Sequence, residues 1–162
     1  DEVARTDLEL VELPAPLIDE LDALLPPRWS RNNPIDMAGG ETKDTVAAVL
    51  AAVASAPEVD AVLVLGAGIQ SNQGRLEREG PFFPEHGLER IVAFHDRQDS
   101  RYATEAAALS DATSKPILLA TELAVADRDN AAVRTVAETG RYCAPSAERA
   151  VVGLDAHGIT PV

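Results

Sequence analysis

Apolar residues recur along the chain in two patterns, short continuous runs and helical stripes, and the two alternate. The runs VDAVLVLG (59–66) and KPILLA (115–120) are nearly continuous, which is typical of parallel strands covered on both faces. The segment LELVEL (8–13) alternates apolar and acidic residues and predicts a strand near a sheet edge. Two shorter strands are expected around Ile35 and at Tyr142-Cys143.

Helical spacing of apolar residues predicts the elements between these strands. Helices are expected over residues 17–25, 42–56, 86–114, 128–140 and 146–158. The third is expected to break near residues 96–100, and residues 66–84 to form a turn and an irregular stretch, because glycine and proline interrupt them. Gly140 is expected at the C′ position of its helix, and Ser146 at the N-cap of the last one.

This order predicts an α/β fold with an open, mostly parallel sheet and helices on both faces, most simply in a flavodoxin-like arrangement. Ligands of such sheets bind at the carboxyl ends of the strands. The loops after Leu65, Ala120 and Cys143 are therefore expected to share the ligand-binding edge.

Composition narrows the classes of partner. The chain has 162 residues, enough for one domain, with 27 acidic against 14 basic residues and a formal net charge of −13. Nucleic acid and anionic membranes are therefore not expected partners, and no apolar run approaches the roughly 20 residues of a membrane span. Cys143 is the only cysteine, so we expect no disulfide framework and a reducing, cytoplasmic setting. The first residues read as the end of an interrupted helix, which predicts a piece excised from a longer protein.

The stretch VLVLGAGIQSNQGR (62–75) places a glycine-bearing turn directly after a strand. A dinucleotide fingerprint is not favoured, because Ser71 stands where the third glycine belongs and no second strand with an acidic end follows. A P-loop is excluded, since no Gly-Lys-Ser/Thr follows. Two interpretations stay open. Backbone N–H groups near residues 68–71 could bind a phosphate or carboxylate at a helix start, or the glycines could serve only a tight turn.

Other chemistry-bearing residues point more weakly to a site. His95-Asp96, with Asp99 nearby, could suggest a metal or a catalytic base. No second histidine lies at helical spacing, however, so a solvated helix face is favoured and no metal site is expected. His157 is expected at a helix end, where a cation is favoured, and Cys143 as a small buried apolar residue. No serine lies in a G-x-S-x-G motif, and we identify no catalytic residues.

The segment RWSRNNPIDMAGG (28–40) is the other unusual stretch, with the only tryptophan beside two arginines. It could form a contact surface. Equally, Trp29 could pack on the core while Asp36 accepts local backbone hydrogen bonds. Both interpretations stay open.

The same segments carry a family resemblance. LPPRWSRNNPIDMAGGETKDTVAAVLAAVASAPEVDAVLVLG closely resembles a stretch of the ADP-forming acyl-CoA synthetases, in which a PP-W-S-x-x-NP-x-D loop precedes a helix and an apolar strand. SKPILLA and ETGRYCAPSAERAV are similar to that family's KPVL strand and its closing S/T-P-E-R-A motif. The resemblance covers residues 24–66 and 115–156. It is weak over 67–114, where the chain is expected to carry an insertion of its own.

The resemblance implies one flavodoxin-like ligase domain over residues 1–162, as in the related succinyl-CoA synthetases. There, such a domain packs against a second one that bears the phosphorylated histidine, and a helix N-terminus from each stabilises the phosphohistidine. The anion-binding site that this implies here comprises Gly66, Ala67, Gly68, Ile69, Gln70, Ser71 and Asn72. Asn33, Pro34 and Asp36 match the family's loop motif.

The implied function is that of a ligase domain that assists phosphohistidine-mediated phosphoryl transfer in the interconversion of acids and acyl-CoA. The chain contains no phosphohistidine loop, ATP-grasp domain or CoA-binding domain. Those domains are its implied partners, and the isolated domain is not expected to be active. CoA and ATP or ADP with Mg are implied for the full-length enzyme, and no cofactor for this domain.

An alternative is a non-catalytic regulatory or interaction module of a multidomain protein similar to acyl-CoA synthetases or acetyltransferases. It would present an apolar docking surface and have no anion affinity at the glycine corner. A free-standing flavin-binding protein is disfavoured, because the chain has few aromatic residues and no Ser/Thr-rich phosphate loop after its first strand.

Overall fold

The computed structural model of the protein describes residues 2–39 and 44–156, and in them two helices separate each strand from the next. After a 3-10 turn at Val3–Arg5, the elements follow in chain order: α1 (Ala15–Leu24), α2 (Thr45–Ser55), β1 (Val62–Leu65), α3 (Ile69–Arg78), α4 (Leu88–Thr113), β2 (Ile117–Ala120), α5 (Leu123–Ala126), α6 (Ala131–Glu138), β3 (Cys143–Ala144) and α7 (Ala147–Ala156).

The three strands form one small sheet in the order β1-β2-β3. β2 and β3 run parallel, with Leu119 opposite Cys143. The Val62 N–H donates to the Pro116 carbonyl (2.9 Å) and the Gly66 N–H to the Ala120 carbonyl (3.1 Å). Donor and acceptor advance along the chain together, so β1 is also parallel to β2. The predicted α/β class with an open parallel sheet is confirmed.

The chain divides into two compact units. Unit 1 comprises Asp1–Val62, Leu109–Pro116 and Val151–Val162, and unit 2 comprises Leu63–Ala108 and Ile117–Ala150.

Unit 1 is built around the packing of α1 and α2. Leu17 and Leu21 of α1 share a buried cluster with Val49 and Val53 of α2, and Trp29 belongs to the same cluster. α1 carries a proline in its first turn, where its missing N–H removes no helical bond. The core of unit 1 is therefore aliphatic, with one indole closing it.

Unit 2 has a core of small residues on its sheet. Ala120 of β2, Ala144 of β3 and Ala150 of α7 are buried together, and Leu63 and Leu118 pack against them. Alanine side chains leave room for a helix to approach the strands closely. The alanine-rich composition of the chain thus has a direct structural use.

The C-terminal end of α6 forms as the sequence predicts. Gly140 has φ +74°. Its N–H donates to the Ala137 carbonyl (2.9 Å), and the Arg141 N–H donates to the Val136 carbonyl (3.3 Å). This pair of bonds is the Schellman motif, with glycine at C′.

The N-terminal end of α7 also agrees with the sequence, since the Ser146 Oγ accepts from the Arg149 N–H (3.3 Å). The remaining predicted residues of this helix, 157 and 158, lie outside the described residues, as do residues 42 and 43 of the helix predicted over 42–56.

Two predicted strands are wrong. Residues 8–13 form no strand, and the Val11 carbonyl accepts instead from the Asn33 side chain (3.1 Å). The apolar residues of this segment do not line one face of a strand. Leu13 is buried in the core of unit 1, whereas Leu10 is exposed. Around Ile35 the loop closes on itself and forms no ladder, because the Ser30 N–H donates to the Asp36 carbonyl (3.1 Å).

Two helix predictions also need correction. Residues 69–78 are not irregular but form α3, which ends before the Gly80-Pro81 pair. α4 continues through residues 96–100 without a break. The polar residues there do not interrupt the helix because two of them, Gln98 and Asp99, turn inward and are hydrogen-bonded.

We predict that Leu21→Ala lowers the free energy of unfolding by about 2–5 kcal/mol, because Leu21 is fully buried and its removal leaves a cavity. Leu24→Ala, in the same helix but 37% exposed, is the matched control and should cost under about 1 kcal/mol. Urea denaturation of both variants measures the difference. Equal losses would contradict the assignment of α1's buried face.

Candidate functional site

The glycine corner joins β1 to α3 through two residues in the left-handed region. Gly66 has φ +78° and Gly68 has φ +85°, and α3 begins at Ile69. A Cβ on Gly66 would lie 2.8 Å from the Ile69 Cδ1, so the Ile69 side chain folds back over the turn. The chain thus passes from strand to helix in three residues, and both glycines are required for it.

Asn130 fixes this turn from a distant part of the sequence. Its Nδ2 donates to the Gly68 carbonyl (3.0 Å), while its Oδ1 accepts from the Ala132 N–H (3.0 Å) and caps α6. Asn130 is 4% exposed, so both bonds are shielded from water. The helix predicted over 128–140 includes Asn130, whereas α6 begins one residue after it. Its position just before an apolar helical stripe was the available sign of an N-cap.

The side chain of Asp99, a residue of α4, binds the first turn of α3. Its Oδ2 accepts from both the N–H and the Oγ of Ser71, each at 2.6 Å. Asp99 and Ser71 are 5% and 4% exposed. Ser71 is the third residue of α3, so one of the helix's unpaired N–H groups is satisfied by a carboxylate from α4.

Burial raises the pKa of the Asp99 carboxyl above its ordinary value. The hydrogen bonds from Ser71 and the charge of His95 oppose that shift, and the neighbouring Asp96 adds to it. The desolvation of the charged form is therefore the largest influence on this group. A negative charge at this position is stabilised by the helix N-terminus but is poorly solvated.

The N–H groups of the predicted anion site fall into two sets. Those of Gly66, Ser71 and Asn72 donate to the Ala120 carbonyl, the Asp99 carboxylate and the Gly68 carbonyl respectively. Within the described chain, the N–H groups of Ala67, Gly68, Ile69 and Gln70 have no hydrogen-bond acceptor. The corner thus has four N–H groups available to a ligand, next to a buried carboxylate that already accepts from Ser71.

Tyr102 continues the polar cluster along α4. Its hydroxyl accepts from the Gln98 Nε2 (3.3 Å) and also interacts with the Gln70 side chain. Burial raises the pKa of the Tyr102 hydroxyl. The interaction with Gln70 ties α3 to α4 one turn beyond the Asp99 contact.

The loop-motif residues belong to unit 1 and serve structural roles there. Trp29 is 3% exposed, and its Nε1 donates to the Asp22 Oδ1 (2.6 Å). The Asp36 Oδ1 accepts from the Ala38 N–H (2.8 Å), and the Asn33-Pro34 peptide bond is cis. The interpretation in which Trp29 packs on the core and Asp36 accepts a local backbone bond is confirmed.

The Asp22 carboxylate joins this loop to α1. It also pairs with the Arg31 guanidinium (2.8 Å), which lies over the Trp29 ring at 5.9 Å. The hydrogen bond from Trp29 is the largest influence and lowers the pKa of Asp22. Burial opposes it, and the hydrogen bond and charge of Arg31 lower the pKa further.

The remaining candidate residues form no common site. Cys143 is buried, and burial raises the pKa of its thiol. His95 has a buried Nδ1 without a hydrogen-bond partner in the described residues, His86 is exposed, and His157 lies outside them. Across residues 2–39 and 44–156, no three His, Cys, Asp or Glu side chains come together in a way that could hold a metal ion.

Comparison with family models, with curated proteins and with solved structures finds no match to this chain. In the described part of the chain, no helix has the length and apolar character needed to cross a membrane.

We predict that Gly68→Ala is much more destabilising than Gly140→Ala. Both glycines have positive φ, so both substitutions incur a backbone strain of about 1–2 kcal/mol. A Cβ on Gly68 would in addition overlap the Asn130 side-chain amide, whereas one on Gly140 would meet nothing within 4 Å. Thermal unfolding of the two variants measures the difference, and similar values would contradict the packing of Asn130 on the turn.

Asp99→Asn tests the electrostatics of the carboxyl. Because the folded state binds the Asp99 proton more tightly than the unfolded state, stability is lost as the pH rises from about 3.9, the ordinary aspartate value, through the raised pKa of the folded state. We expect the stability of the wild type relative to Asp99→Asn to fall across that window and then level off. Urea denaturation at a series of pH values measures this difference, and a rise with pH would contradict it.

Proposed function

We propose that this chain is a flavodoxin-like ligase domain of a multidomain protein resembling the ADP-forming acyl-CoA synthetases, and that it serves there as a non-catalytic interaction or regulatory module. The domain assignment is supported by the resemblance over residues 24–66 and 115–156. The coarse α/β architecture with a parallel sheet is compatible with it. Its partners are the phosphohistidine-bearing, CoA-binding and ATP-grasp domains of that protein or complex.

The observation that carries the non-catalytic role is the hydrogen bonding of Asp99. A helix N-terminus that stabilises a phosphate needs its first N–H groups and must not face a second negative charge. Here the Asp99 carboxylate already accepts from Ser71 at 2.6 Å, within the first turn of α3. A phosphate at the corner would have to approach a buried carboxylate, whose repulsion is weakly screened by solvent.

Exposed apolar side chains at the same corner support an interaction role. Leu65, the last residue of β1, is 55% exposed, and Ile69, the first residue of α3, is 63% exposed. Because a large aliphatic side chain is exposed on each side of the turn, the corner is better suited to contact another protein than to bind a hydrated anion. The corner thus combines a helix end that already binds a carboxylate of the protein with exposed apolar side chains at its margin.

The second candidate function is direct assistance to phosphoryl transfer from phosphohistidine. It is favoured by the N–H groups of residues 67–70, which have no acceptor among the described residues. In that function these four groups would bind the phosphate while Asp99 holds the rest of the helix in place. CoA and ATP or ADP with Mg would be held by the other domains in either case.

Titration with inorganic phosphate separates the two functions. For the non-catalytic module we expect the amide signals of residues 66–72 to stay in place in the wild type. Asp99→Asn removes the repelling charge but keeps an oxygen that can accept from Ser71, so phosphate should bind it about tenfold more tightly or better. Asp96→Asn is the matched control, because it removes a carboxylate from the same helix that pairs with Arg78 on the surface.

Heteronuclear NMR of the isotope-labelled chain is the measurement, repeated with acetyl phosphate as an acyl-phosphate probe. A saturable shift of the Ile69 and Gln70 amides in the wild type, with Ser71 unmoved, would overturn the non-catalytic role and support phosphate stabilisation. A shift of equal size in the Asp96→Asn and Asp99→Asn variants would reject the repulsion argument.

A further inference from the structure

The exposed face of α4 carries a groove that neither function uses. It has a volume of about 400 Å³ and is lined by His86, Gly87, Arg90, Ile91, Phe94 and Arg97. We call these residues the α4 groove. They lie in the segment 67–114, where the resemblance to the synthetase family is weak.

The apolar part of the α4 groove is unusually exposed for its residue types. Ile91 is 43% and Phe94 is 46% exposed. Phe82 (64% exposed) lies at the margin, with its ring 6.2 Å from that of His86 in an edge-to-face arrangement. Aromatic and aliphatic side chains gathered on one helix face mark a surface that excludes water when covered.

The charged part of the α4 groove is Arg90 and Arg97. Neither guanidinium has a carboxylate within ion-pair distance among the described residues, although this chain has 27 acidic residues for 14 basic ones. Other arginines nearby are paired: Arg78 with Asp96 (3.0 Å) and Arg101 with Glu105 (2.6 Å). Two unneutralised guanidinium groups therefore flank the exposed Ile91 and Phe94.

The spacing of these groups defines what fits the groove. Arg90, Phe94 and Arg97 stand at i, i+4 and i+7, and so lie on one face of the helix. Seven residues of α-helix span about 10 Å, which is also the distance between two carboxylates separated by two turns of another helix. An apolar side chain between those carboxylates would meet Phe94.

We propose that the α4 groove is a docking site for an acidic amphipathic helix of a partner protein. Two carboxylates of that helix pair with Arg90 and Arg97, and its apolar side chains cover Ile91 and Phe94. Arginine and aromatic residues are enriched in such interfaces, and a guanidinium binds a carboxylate through two parallel hydrogen bonds. The proposal does not rest on the proposed function of the glycine corner.

The net charge of −13 does not argue against an acidic partner. At physiological ionic strength the Debye length is about 8 Å, so the rest of the surface is largely screened from a partner seated on α4. Nucleic acid and anionic membranes are poorer occupants, because each would extend over acidic regions far beyond two arginines.

The test uses a fluorescein-labelled helical peptide with two glutamates two turns apart and leucines between them on the same face. We expect saturable binding by fluorescence anisotropy. Peptides with the glutamates one turn apart, or replaced by glutamine, should bind at least about tenfold more weakly, since only the first design can meet both arginines.

Variants of the chain localise the binding. Arg90→Glu combined with Arg97→Glu should weaken binding at least about tenfold, and Phe94→Ala should weaken it without changing the charge. Arg128→Glu is the matched control, an exposed arginine in the same unit that lies outside the groove, and it should bind as the wild type does. All four positions are exposed, and circular dichroism verifies that the variants are folded.

Four results would overturn the proposal. They are the absence of binding at millimolar peptide, equal binding of the glutamine peptide, an equal loss in Arg128→Glu, and full displacement of the peptide by inorganic phosphate. Sedimentation of the chain alone adds a fifth, because self-association that Phe94→Ala abolishes would make a second copy the occupant.

Discussion

A buried carboxylate must find hydrogen-bond donors within the protein, and this requirement organises the candidate site. Asp99 lies in the middle of α4, where water is excluded, and Ser71 supplies both of its donors. The backbone donor is available because α3 starts at Ile69, which leaves the third N–H of the helix without an internal acceptor. The start of α3 in turn depends on the left-handed conformation of Gly68. The turn, the helix end and the buried charge therefore stabilise one another.

The same arrangement makes the glycine corner different from an open anion-binding site. In an open site the helix potential is available to a ligand, whereas here part of it stabilises a charge of the protein itself. Asn130 adds a second internal partner by binding the Gly68 carbonyl. The corner is thus held by side chains from two other parts of unit 2, and its remaining donors lie at the rim.

Sequence reasoning succeeded where the determining interactions are local. The two apolar runs form β1 and β2. Gly140 ends α6 and Ser146 begins α7, each through a hydrogen bond to a residue three positions away. The strand predicted at LELVEL (8–13) is wrong, because alternation of apolar and polar residues shows which side chains are buried but not whether a neighbouring strand is available to pair with. The site was only partly predictable for a related reason. Asp99 and Asn130 reach partners 28 and 62 positions away, and a single sequence shows the polar residue but not its distant donor.

Neither unit of the structure is a continuous stretch of chain. Unit 1 takes its residues from three separate segments and unit 2 from two, and the chain passes from one unit to the other at residues 62, 108, 116 and 150. No continuous fragment of the sequence therefore contains all of one unit and none of the other. A fragment that ends within α4 would lose residues of both units. A continuous fragment cannot separate one unit from the residues of the other, and point substitutions are the means of perturbing one unit at a time.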